Sequence, residues 1–388
     1  MKIGIASPIS TVPLAEFLEE DIANAPKGLG GTTVVELVKG LLHKEHRVSV
    51  YSLDLQVATP IVLKGKLLTI YYGPYRPKHR MRDFMKVERH SIRDFITEDN
   101  PDVVHAHWTY ESAIGALASG KPTLITVRDW PLAVLRQKPD AYRLGKVLMH
   151  FTTLFRGFNF TANSPYLQKY LQKYLRKDIP VIPNALDDAD FYKGERHPNI
   201  SQPTIVSANN GFAKLKNVKS LLYAFNLIKK KIPTCRLILV GDEFERNGKA
   251  EQWAKEKGLA EHVAFAGYLE HDETLKTIEN ADLLIHPSLE ESFGMTLLEA
   301  MAKKTPVIGG KDSGAVPWVL NYGEAGVLTD VKSPTLIADE AILLLTNEER
   351  WKMFSAAGYQ HARNNFSLSK VVEQYLQAYD RLLRIMEV

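Results

Sequence analysis

Short apolar runs alternate along the chain with longer stretches whose apolar residues recur at helical spacing. Such runs, separated by helical patterns, are typical of buried parallel strands. One series of strands is predicted in the first half of the chain: Ile3–Ala6, Arg47–Ser52, Val103–His105, Thr123–Val127 and Phe158–Ala162. A second series follows after a break: Thr204–Ser207, Cys235–Val240, Val263–Ala266, Leu283–His286 and Pro306–Ile308. Helices such as Thr32–His43 and Val218–Lys230 are predicted between the strands.

Two consecutive βα series of similar size predict an α/β protein with two Rossmann-like domains. The polar, proline-bearing stretch 187–203 marks the boundary. This gives a first domain of residues 1–190 and a second of residues 203–367. The tail, residues 368–388, has apolar residues at helical spacing, so we expect an amphipathic helix that can pack back on the first domain.

Composition places the chain among globular proteins, since 45% of its 388 residues are hydrophobic and 24% are charged. No stretch approaches the ~20 apolar residues of a membrane-spanning helix. The opening Met1–Ala6 is too short for a secretory signal and is better explained as a buried strand. A single cysteine, Cys235, excludes an internal disulfide and favours a reducing compartment. We therefore expect a cytoplasmic protein.

The net charge of +4 is too small to indicate nucleic-acid binding. The positive charge is instead concentrated in segment 76–93, which carries only Asp83 and Glu88 as acidic residues. Its seven basic residues are Arg76, Lys78, Arg80, Arg82, Lys86, Arg89 and Arg93. A solvated helix face explains such a run more often than not, and contact with an anionic membrane surface or an anionic acceptor is the functional alternative.

The most informative stretch is 287–302, which follows the predicted strand Leu283–His286. It therefore lies at the carboxyl edge of the sheet, where open α/β sheets bind ligands. A helix with one buried face is predicted from the spacing of Gly294, Leu297, Leu298 and Met301. Glu299 falls opposite that face, where it would be open to a ligand, and Glu291 lies in the loop just ahead.

This arrangement suits a nucleotide sugar. Unpaired N–H groups at a helix start can cradle a diphosphate, assisted by the helix dipole. The groups in question belong to Phe293, Gly294, Met295 and Thr296. One carboxylate can then hold sugar hydroxyls, and the other can hold ribose hydroxyls. On spacing alone, an acidic loop followed by a solvated helix glutamate explains the same two residues.

Glu291 and Glu299 stand with seven residues between them inside Pro-Ser-Leu-x-Glu-x-Phe-Gly-x-x-Leu-Leu-Glu-Ala-Met-Ala. This segment resembles the paired-glutamate motif of family 4 retaining glycosyltransferases, which have the GT-B fold. The resemblance covers nearly the whole chain, because weaker motifs follow in the family's order. They are the glycine loop Gly28–Thr32, the strand Pro101–His107, the segment Lys216–Val218, Leu239–Asp242, Phe265–Tyr268 and Ser313–Pro317.

The resemblance implies roles for individual residues. Gly30, Gly31, Lys216 and Gly241 would line the donor site, together with the start of the helix that carries Glu299. His107 would belong to the catalytic group with Glu291. We expect His105 and His107 to point to opposite faces of their strand, so that one of them is only packed.

Two positions depart from the family pattern. Arg128 stands where members commonly have a histidine, and arginine cannot act as a base. Arg128 would instead hold phosphate or an anionic acceptor. The family's usual arginine upstream of its phosphate-binding lysine is absent, and Lys214 would be its substitute.

The resemblance implies a retaining hexosyltransferase with two domains facing across a cleft. It would move a sugar from a nucleotide diphosphate sugar to a carbohydrate or glycolipid acceptor at the inner face of the membrane. No cofactor and no metal are expected, since there is no Asp-x-Asp triplet and no third ligand for the His pair. A catalytically silent GT-B binding subunit and a nucleotide-sugar epimerase of the same fold are the alternatives. A nicotinamide enzyme is disfavoured because no Gly-x-Gly-x-x-Gly follows the first strand.

Overall fold

The computed structural model describes residues 1–386 of the chain. It divides into two compact units, one formed by Met1–Ala185 with the tail from Leu368 onward and the other by Leu186–Ser367. The change of unit therefore comes just before the predicted boundary stretch 187–203. Leu186 already belongs to the second unit, because its amide donates to the Phe366 carbonyl at 3.0 Å and its side chain packs in that unit's core.

The first unit is built from alternating strands and helices. Its strands are β1 (Lys2–Ala6), β2 (Arg47–Asp54), β3 (Ile61–Lys64), β4 (Leu68–Pro74), β5 (Val103–His107), β6 (Thr123–Val127) and β7 (Asn159–Ala162). Its helices before the tail are α1 (Thr32–His43), α2 (Lys86–Asp99), α3 (Glu111–Ala118), α4 (Pro131–Gln137), α5 (Ala141–Arg156) and α6 (Pro165–Leu175).

Within the described residues these strands form one sheet in the order β3-β4-β2-β1-β5-β6-β7. All neighbours are parallel except β3, which pairs antiparallel with β4. The sequence analysis missed β3 and β4, since a regular βα alternation predicts a helix after β2. The structure instead reaches the parallel strand β4 through the short strand β3 at the sheet edge.

The second unit repeats the plan. Its strands are β8 (Thr204–Ala208), β9 (Arg236–Val240), β10 (Val263–Gly267), β11 (Leu283–His286), β12 (Val307–Gly310) and β13 (Val327–Thr329). Its helices are α7 (Val218–Lys231), α8 (Lys249–Glu256), α9 (His271–Glu279), α10 (Met295–Ala302), α11 (Val316–Val319), α12 (Pro334–Thr346) and α13 (Glu348–Phe366). In the described part of the chain, these strands form a parallel sheet ordered β10-β9-β8-β11-β12-β13.

The tail forms helix α14 (Leu368–Met386). The last two residues of the predicted tail helix, 387 and 388, lie outside the described residues. The helix buries Val371, Val372, Tyr375 and Tyr379 in the core of the first unit, beside residues of α1. Its apolar face at helical spacing therefore covers the first sheet, as an amphipathic helix must to remove that face from water.

Close approach of α14 to α1 depends on Gly40. A Cβ atom added at Gly40 would lie 2.5 Å from the Cγ2 atom of Val372 and 3.2 Å from Leu368. A β-branched side chain has little freedom to move away from such a contact. The absence of a side chain at Gly40 therefore allows the two helices to pack.

We predict that Gly40→Leu lowers the free energy of unfolding by about 1–3 kcal/mol, the usual range for overpacking a filled core. Urea unfolding followed by circular dichroism measures this. Val372→Ala in the same chain should recover part of the loss, because it removes the nearest methyl group. No recovery in the double variant would show that the helices do not meet at this point.

Candidate functional site

The loop after β11 holds a buried carboxylate, Glu291, between two basic side chains. The Nζ atom of Lys216 donates to Oε1 of Glu291 at 2.6 Å, and Nε2 of His286 lies 3.2 Å from the same oxygen. The other ring nitrogen of His286 is 3.2 Å from the hydroxyl of Thr296, in the first turn of α10. Both ring nitrogens of His286 are therefore engaged, Nε2 with Glu291 and Nδ1 with Thr296.

The ionisation of Glu291 is decided by opposing effects. Burial alone would raise the pKa of this carboxyl, but the hydrogen bond and charge of His286, together with Lys216, lower it to about 2. The side chain is only 17% exposed, so solvent screens these interactions weakly. Glu291 is therefore a carboxylate at neutral pH, able to accept hydrogen bonds and unable to donate them.

The backbone around Glu291 is fixed from both sides. Asn217 has a left-handed conformation with φ of 53°, and its side-chain amide donates to the carbonyls of Pro287 and Val331 at 3.1 and 2.7 Å. The amide of Ala315 donates to the carbonyl of Glu291 at 2.9 Å. The turn that carries Lys216 and the loop that carries Glu291 are thus tied to one another and to the next loop.

Helix α10 begins beside this carboxylate. Gly294 is its N-cap with φ of 98°, a conformation that L side chains rarely adopt. Phe293 anchors the loop, since its ring is buried and packs 5.6 Å from the ring of Phe366. The N–H groups at Met295 and Thr296 open the helix and have no intrahelical acceptor. The positive end of the helix is therefore directed at the loop of Glu291.

Glu299 lies two turns along the sequence from Glu291, but its surroundings differ from the prediction. The helical wheel placed it opposite the buried face and open to a ligand, yet it is only 6% exposed. Burial raises its pKa, and of the charged groups around it His271 opposes this shift while Asp190 adds to it. The segment around Asp190 covers this side of α10, as the hydrogen bond from the Tyr192 amide to the Ala302 carbonyl at 3.0 Å shows.

The remaining predicted donor residues of the second unit occupy different positions. Lys214 opens the short 3-10 turn that Lys216 closes, and its side chain is exposed. Gly241 follows β9, and its amide donates to the carbonyl of Gly267 at 2.8 Å. The structure thus brings Lys216 and Glu291 into direct contact, whereas Lys214 and Glu299 are in separate surroundings.

In the first unit, the glycine loop leads into α1. Gly31 is the N-cap of that helix, and the carbonyl of Gly30 accepts from the hydroxyl of Ser10 at 3.1 Å. The loop therefore lies beside the end of β1, at the carboxyl edge of the first sheet.

His105 and His107 point to the same face of β5, which corrects the prediction of opposite faces. Residues two apart in a strand share a face, and the two ring centroids are 4.0 Å apart. His105 bonds to the hydroxyls of Tyr379 in α14 and of Thr126, each at 2.7 Å. Burial lowers the pKa of both histidines well below the usual value, so both are neutral at physiological pH.

Arg128 lies beside His107 at the end of β6. Its Nε atom donates to Nδ1 of His107 at 2.9 Å, and its Nη1 atom donates to the side chains of Thr33 and Asn184. The Nδ1 atom of His107 is therefore an acceptor, which assigns the proton to Nε2. That Nε2 atom is buried and has no hydrogen-bond partner within residues 1–386.

The partners of Arg128 are all neutral. Burial lowers the pKa of this guanidinium, but arginine stays charged in proteins. No salt bridge joins Arg128 to a carboxylate of the described chain. A buried cation with only neutral partners has an electrostatic potential suited to an anion.

Sequence reasoning missed one residue in each unit. His286 was predicted only as the last residue of a strand, although it holds Glu291. Asn184, near the end of the first unit, was not predicted as a site residue, although it bonds to Arg128. A polar side chain that ends an apolar strand at the carboxyl edge of a sheet was the available signal for His286.

Two family models match the chain. "Glycosyltransferase Family 4" matches residues 30–190 and "Glycosyl transferases group 1" matches residues 190–361. The chain is 28% identical over 306 residues to N-acetyl-alpha-D-glucosaminyl L-malate synthase of Bacillus anthracis, covering 76% of this chain and 78% of that protein. It is 26% identical over 337 residues to phosphatidyl-myo-inositol mannosyltransferase of Mycobacterium tuberculosis, covering 83% and 82%.

Solved structures share the fold. Sucrose-phosphate synthase from Thermosynechococcus elongatus superimposes with a TM-score of 0.79 at 18% identity, covering 99% of this chain and 100% of that one. HepE from Anabaena, in complex with UDP-glucose, gives a TM-score of 0.71 at 16% identity, covering 98% and 100%. The fold and the matches define a GT-B glycosyltransferase that uses a nucleotide sugar. More narrowly, the chain belongs to glycosyltransferase family 4.

Among residues 1–386, no helix combines the length and apolar character needed to cross a bilayer. The same part of the chain contains no group of three or more His, Cys, Asp and Glu side chains placed to hold a metal ion.

The ionised state of Glu291 predicts a pH-dependent contribution to stability. The folded pKa of about 2 lies below the ordinary value of 4.5, so the contribution is complete above pH 4.5 and is lost as the pH falls toward 2. Its full size is on the order of 3 kcal/mol, from about 1.4 kcal/mol per pH unit. We measure the free energy of unfolding in urea for wild type and Glu291→Gln at pH values from about 6 down to about 3.5. The difference between the two proteins should become smaller as the pH falls. A constant difference would show that Glu291 is not ion-paired in the folded state.

Proposed function

We propose that this enzyme transfers a hexose from a UDP-hexose to an acceptor hydroxyl with retention of anomeric configuration. The acceptor would be a carbohydrate or a glycolipid, in the synthesis of a glycan, a polysaccharide or a glycolipid. The names of three similar proteins support the proposal. The solved structure of HepE contains UDP-glucose. One relative is a phosphatidyl-myo-inositol mannosyltransferase, and another is an N-acetyl-alpha-D-glucosaminyl L-malate synthase.

The observation that carries the proposal is the ionised Glu291 beside the start of α10. A carboxylate there can accept hydrogen bonds from two sugar hydroxyls, while Lys216 and the helix amides stabilise the diphosphate. The leaving diphosphate would accept the proton of the acceptor hydroxyl on the same face of the sugar. In this scheme the protein orients the sugar and stabilises the charge on the diphosphate, and no metal ion is required.

Each remaining residue has a proposed part. Glu299 would accept hydrogen bonds from ribose hydroxyls, and its burial would make that interaction strong because little water competes. The loop of Gly30 and Gly31 would contact the diphosphate. Lys214, exposed near Lys216, would add positive charge for the same group.

Arg128 and His107 are proposed to recognise an anionic or strongly polar group. The guanidinium has only neutral partners, and the free N–H of His107 is a second donor. A phosphate or carboxylate on the acceptor fits this pair, and so does a donor phosphate. Arginine provides these contacts without acting as a base.

We further propose that the enzyme works in the cytoplasm and makes peripheral contact with the inner face of the membrane. The basic segment 76–93 and the glycolipid character of one relative support this. Each Lys or Arg close to an anionic surface contributes on the order of 1 kcal/mol, so several together give reversible attachment.

The experiment that tests the proposed function measures UDP release from a panel of nucleotide sugars, with and without candidate acceptors. Acceptors with and without a phosphate or carboxylate show what Arg128 recognises, and the anomeric configuration of the product is read by NMR. EDTA is expected to leave the rate largely unchanged. Tight UDP binding without release for any acceptor would indicate a silent binding subunit, and an altered free nucleotide sugar would indicate an epimerase.

Glu291→Gln should reduce kcat by about 10²–10³, because the amide is neutral and can no longer stabilise charge that develops on the sugar. The affinity for UDP should change less than threefold, since Glu291 is proposed to contact the sugar and not the nucleotide. Glu290→Gln makes the same charge change at the adjacent position and serves as the matched control. Equal losses of kcat and of UDP affinity would assign Glu291 a structural role in the loop.

Glu299→Ala should weaken UDP binding by about 1–3 kcal/mol, the range for a charge-assisted hydrogen bond left unmade. Isothermal calorimetry measures this, with Glu349→Ala on the exposed start of α13 as the control. The same titration with GDP and ADP shows whether the ribose or the base is involved. Unchanged affinity for every nucleotide would contradict the ribose assignment.

A further inference from the structure

Helix α5 exposes a row of large apolar side chains. Leu144, Leu148 and Phe155 are 51%, 54% and 87% exposed, and Phe158, just beyond the helix, is 79% exposed. The three helix positions fall within an arc of about 40° at 100° per residue, so they form one line about 16 Å long. We call Leu144, Leu148, Phe155 and Phe158 the apolar stripe.

The opposite face of α5 is anchored in the first unit. Val147, Met149 and Leu154 are buried, and the hydroxyl of Thr153 donates to the carbonyl of Thr109 at 2.8 Å. Rotation of the helix to hide the apolar stripe would expose these residues. The stripe is therefore a fixed feature of the folded surface, and a row of this kind marks a surface that meets another apolar phase.

Segment 76–93, which carries basic residues, packs against the first turns of α5. The guanidinium of Arg80 donates to the hydroxyl of Tyr142 at 3.3 Å, and the side chain of Met81 lies against Gly145. Burial lowers the pKa of Arg89, and the charge of Arg156 at the end of α5 lowers it further. The exposed members of the segment are Lys78, Arg82 and Lys86.

More basic residues border the other end of the stripe. Lys173, Arg176 and Lys177 are exposed at the end of α6, and the Nζ atom of Lys177 donates to the carbonyl of Phe158. The stripe thus has positive charge beside Phe158 as well as along α5.

Three acidic residues near α5 are compensated by ion pairs, whereas Asp178, beside Lys177, accepts from the side-chain amide of Gln172 at 3.4 Å. Asp83 pairs with Arg76 at 2.8 Å, and Glu111 pairs with Lys146 at 2.8 Å. Asp140, just before α5, pairs with Arg143. These three carboxylates therefore do not neutralise the exposed residues Lys78, Arg82 and Lys86.

We propose that the apolar stripe inserts into the interface of an anionic lipid bilayer while the surrounding lysines and arginines contact lipid phosphates. The inference rests on the peripheral membrane contact put forward in the proposed function, and it names the surface that makes the contact. A helix lying in the plane of the membrane, with aromatic and leucine residues on one face and basic residues beside them, binds in this way. The combination of apolar area and positive charge favours an anionic membrane over a neutral one.

The test is co-sedimentation of the full chain with vesicles of phosphatidylcholine alone or mixed with phosphatidylglycerol. The wild type should bind the mixed vesicles, bind the neutral ones far less, and be released in part at about 0.5 M NaCl, where charges are screened. Leu148→Ser with Phe155→Ser should reduce the partition coefficient at least about tenfold, since it removes buried apolar area in the bound state. Leu336→Ser with Met353→Ser is the control, because these exposed apolar residues belong to the second unit.

Three outcomes would overturn the inference. Equal binding of the stripe variant and the wild type would show that charge alone attaches the protein. No binding of the wild type to anionic vesicles would remove the membrane contact altogether. A change from dimer to monomer on Leu148→Ser with Phe155→Ser, measured by light scattering, would show that a second copy of the chain covers the stripe.

The same preparations separate this inference from the proposed enzymatic function. UDP release with a lipid-free acceptor, or slow hydrolysis of the donor, is measured without vesicles, and the stripe variant should keep the wild-type rate. Loss of vesicle binding with full UDP release removes the docking surface only. Absence of UDP release in the wild type, with vesicle binding intact, removes the enzymatic proposal only.

Discussion

A buried carboxylate must be compensated where it stands, and the loop after β11 is organised by that requirement. Burial by itself would protonate Glu291, while His286 and Lys216 together hold its pKa at about 2. Breaking one partner of a buried pair leaves the other charge uncompensated, which is far more destabilising than loss of a surface pair. The surroundings accordingly fix both partners. Thr296 orients the ring of His286, and Asn217 ties the lysine turn to two backbone carbonyls of neighbouring loops.

The first unit contains a buried positive charge, the guanidinium of Arg128, without an ion-pair partner in the described chain. Arg128 is buried among neutral side chains, and the histidine it contacts is neutral because burial disfavours the imidazolium. The strand that carries His107 is supported by the tail helix, since Tyr379 bonds to His105 two residues earlier. The chain therefore returns after the second unit to complete the polar core of the first.

The alternating elements and the helix that begins after Gly294 could be predicted because both have local signatures, while the role of Glu291 in a site stays a prediction. Glu291 and Glu299 stand at fixed spacing around a glycine that begins a helix. The burial of Glu299 could not be predicted locally, because a helical wheel does not include the segment around Asp190 that covers it. The prediction that His105 and His107 point to opposite faces was wrong, because residues two apart in a strand share a face. The strands β3 and β4 were missed because the expected crossover is a helix.

The basic segment illustrates why charge counted along a chain differs from charge available at a surface. Arg76 contributes to the count, but its guanidinium donates to buried Glu88 at 2.7 Å and to Asp83 at 2.8 Å. Its charge holds the start of α2 in place, and removing it would leave the Glu88 carboxylate buried without its partner. The surface charge left for a ligand belongs to residues such as Lys78, Arg82 and Lys86. These few side chains attract an anionic surface only weakly at physiological salt. Apolar contact therefore has to supply the remaining affinity for stable attachment. The exposed leucine and phenylalanine side chains of α5 lie on the helix against which this segment packs.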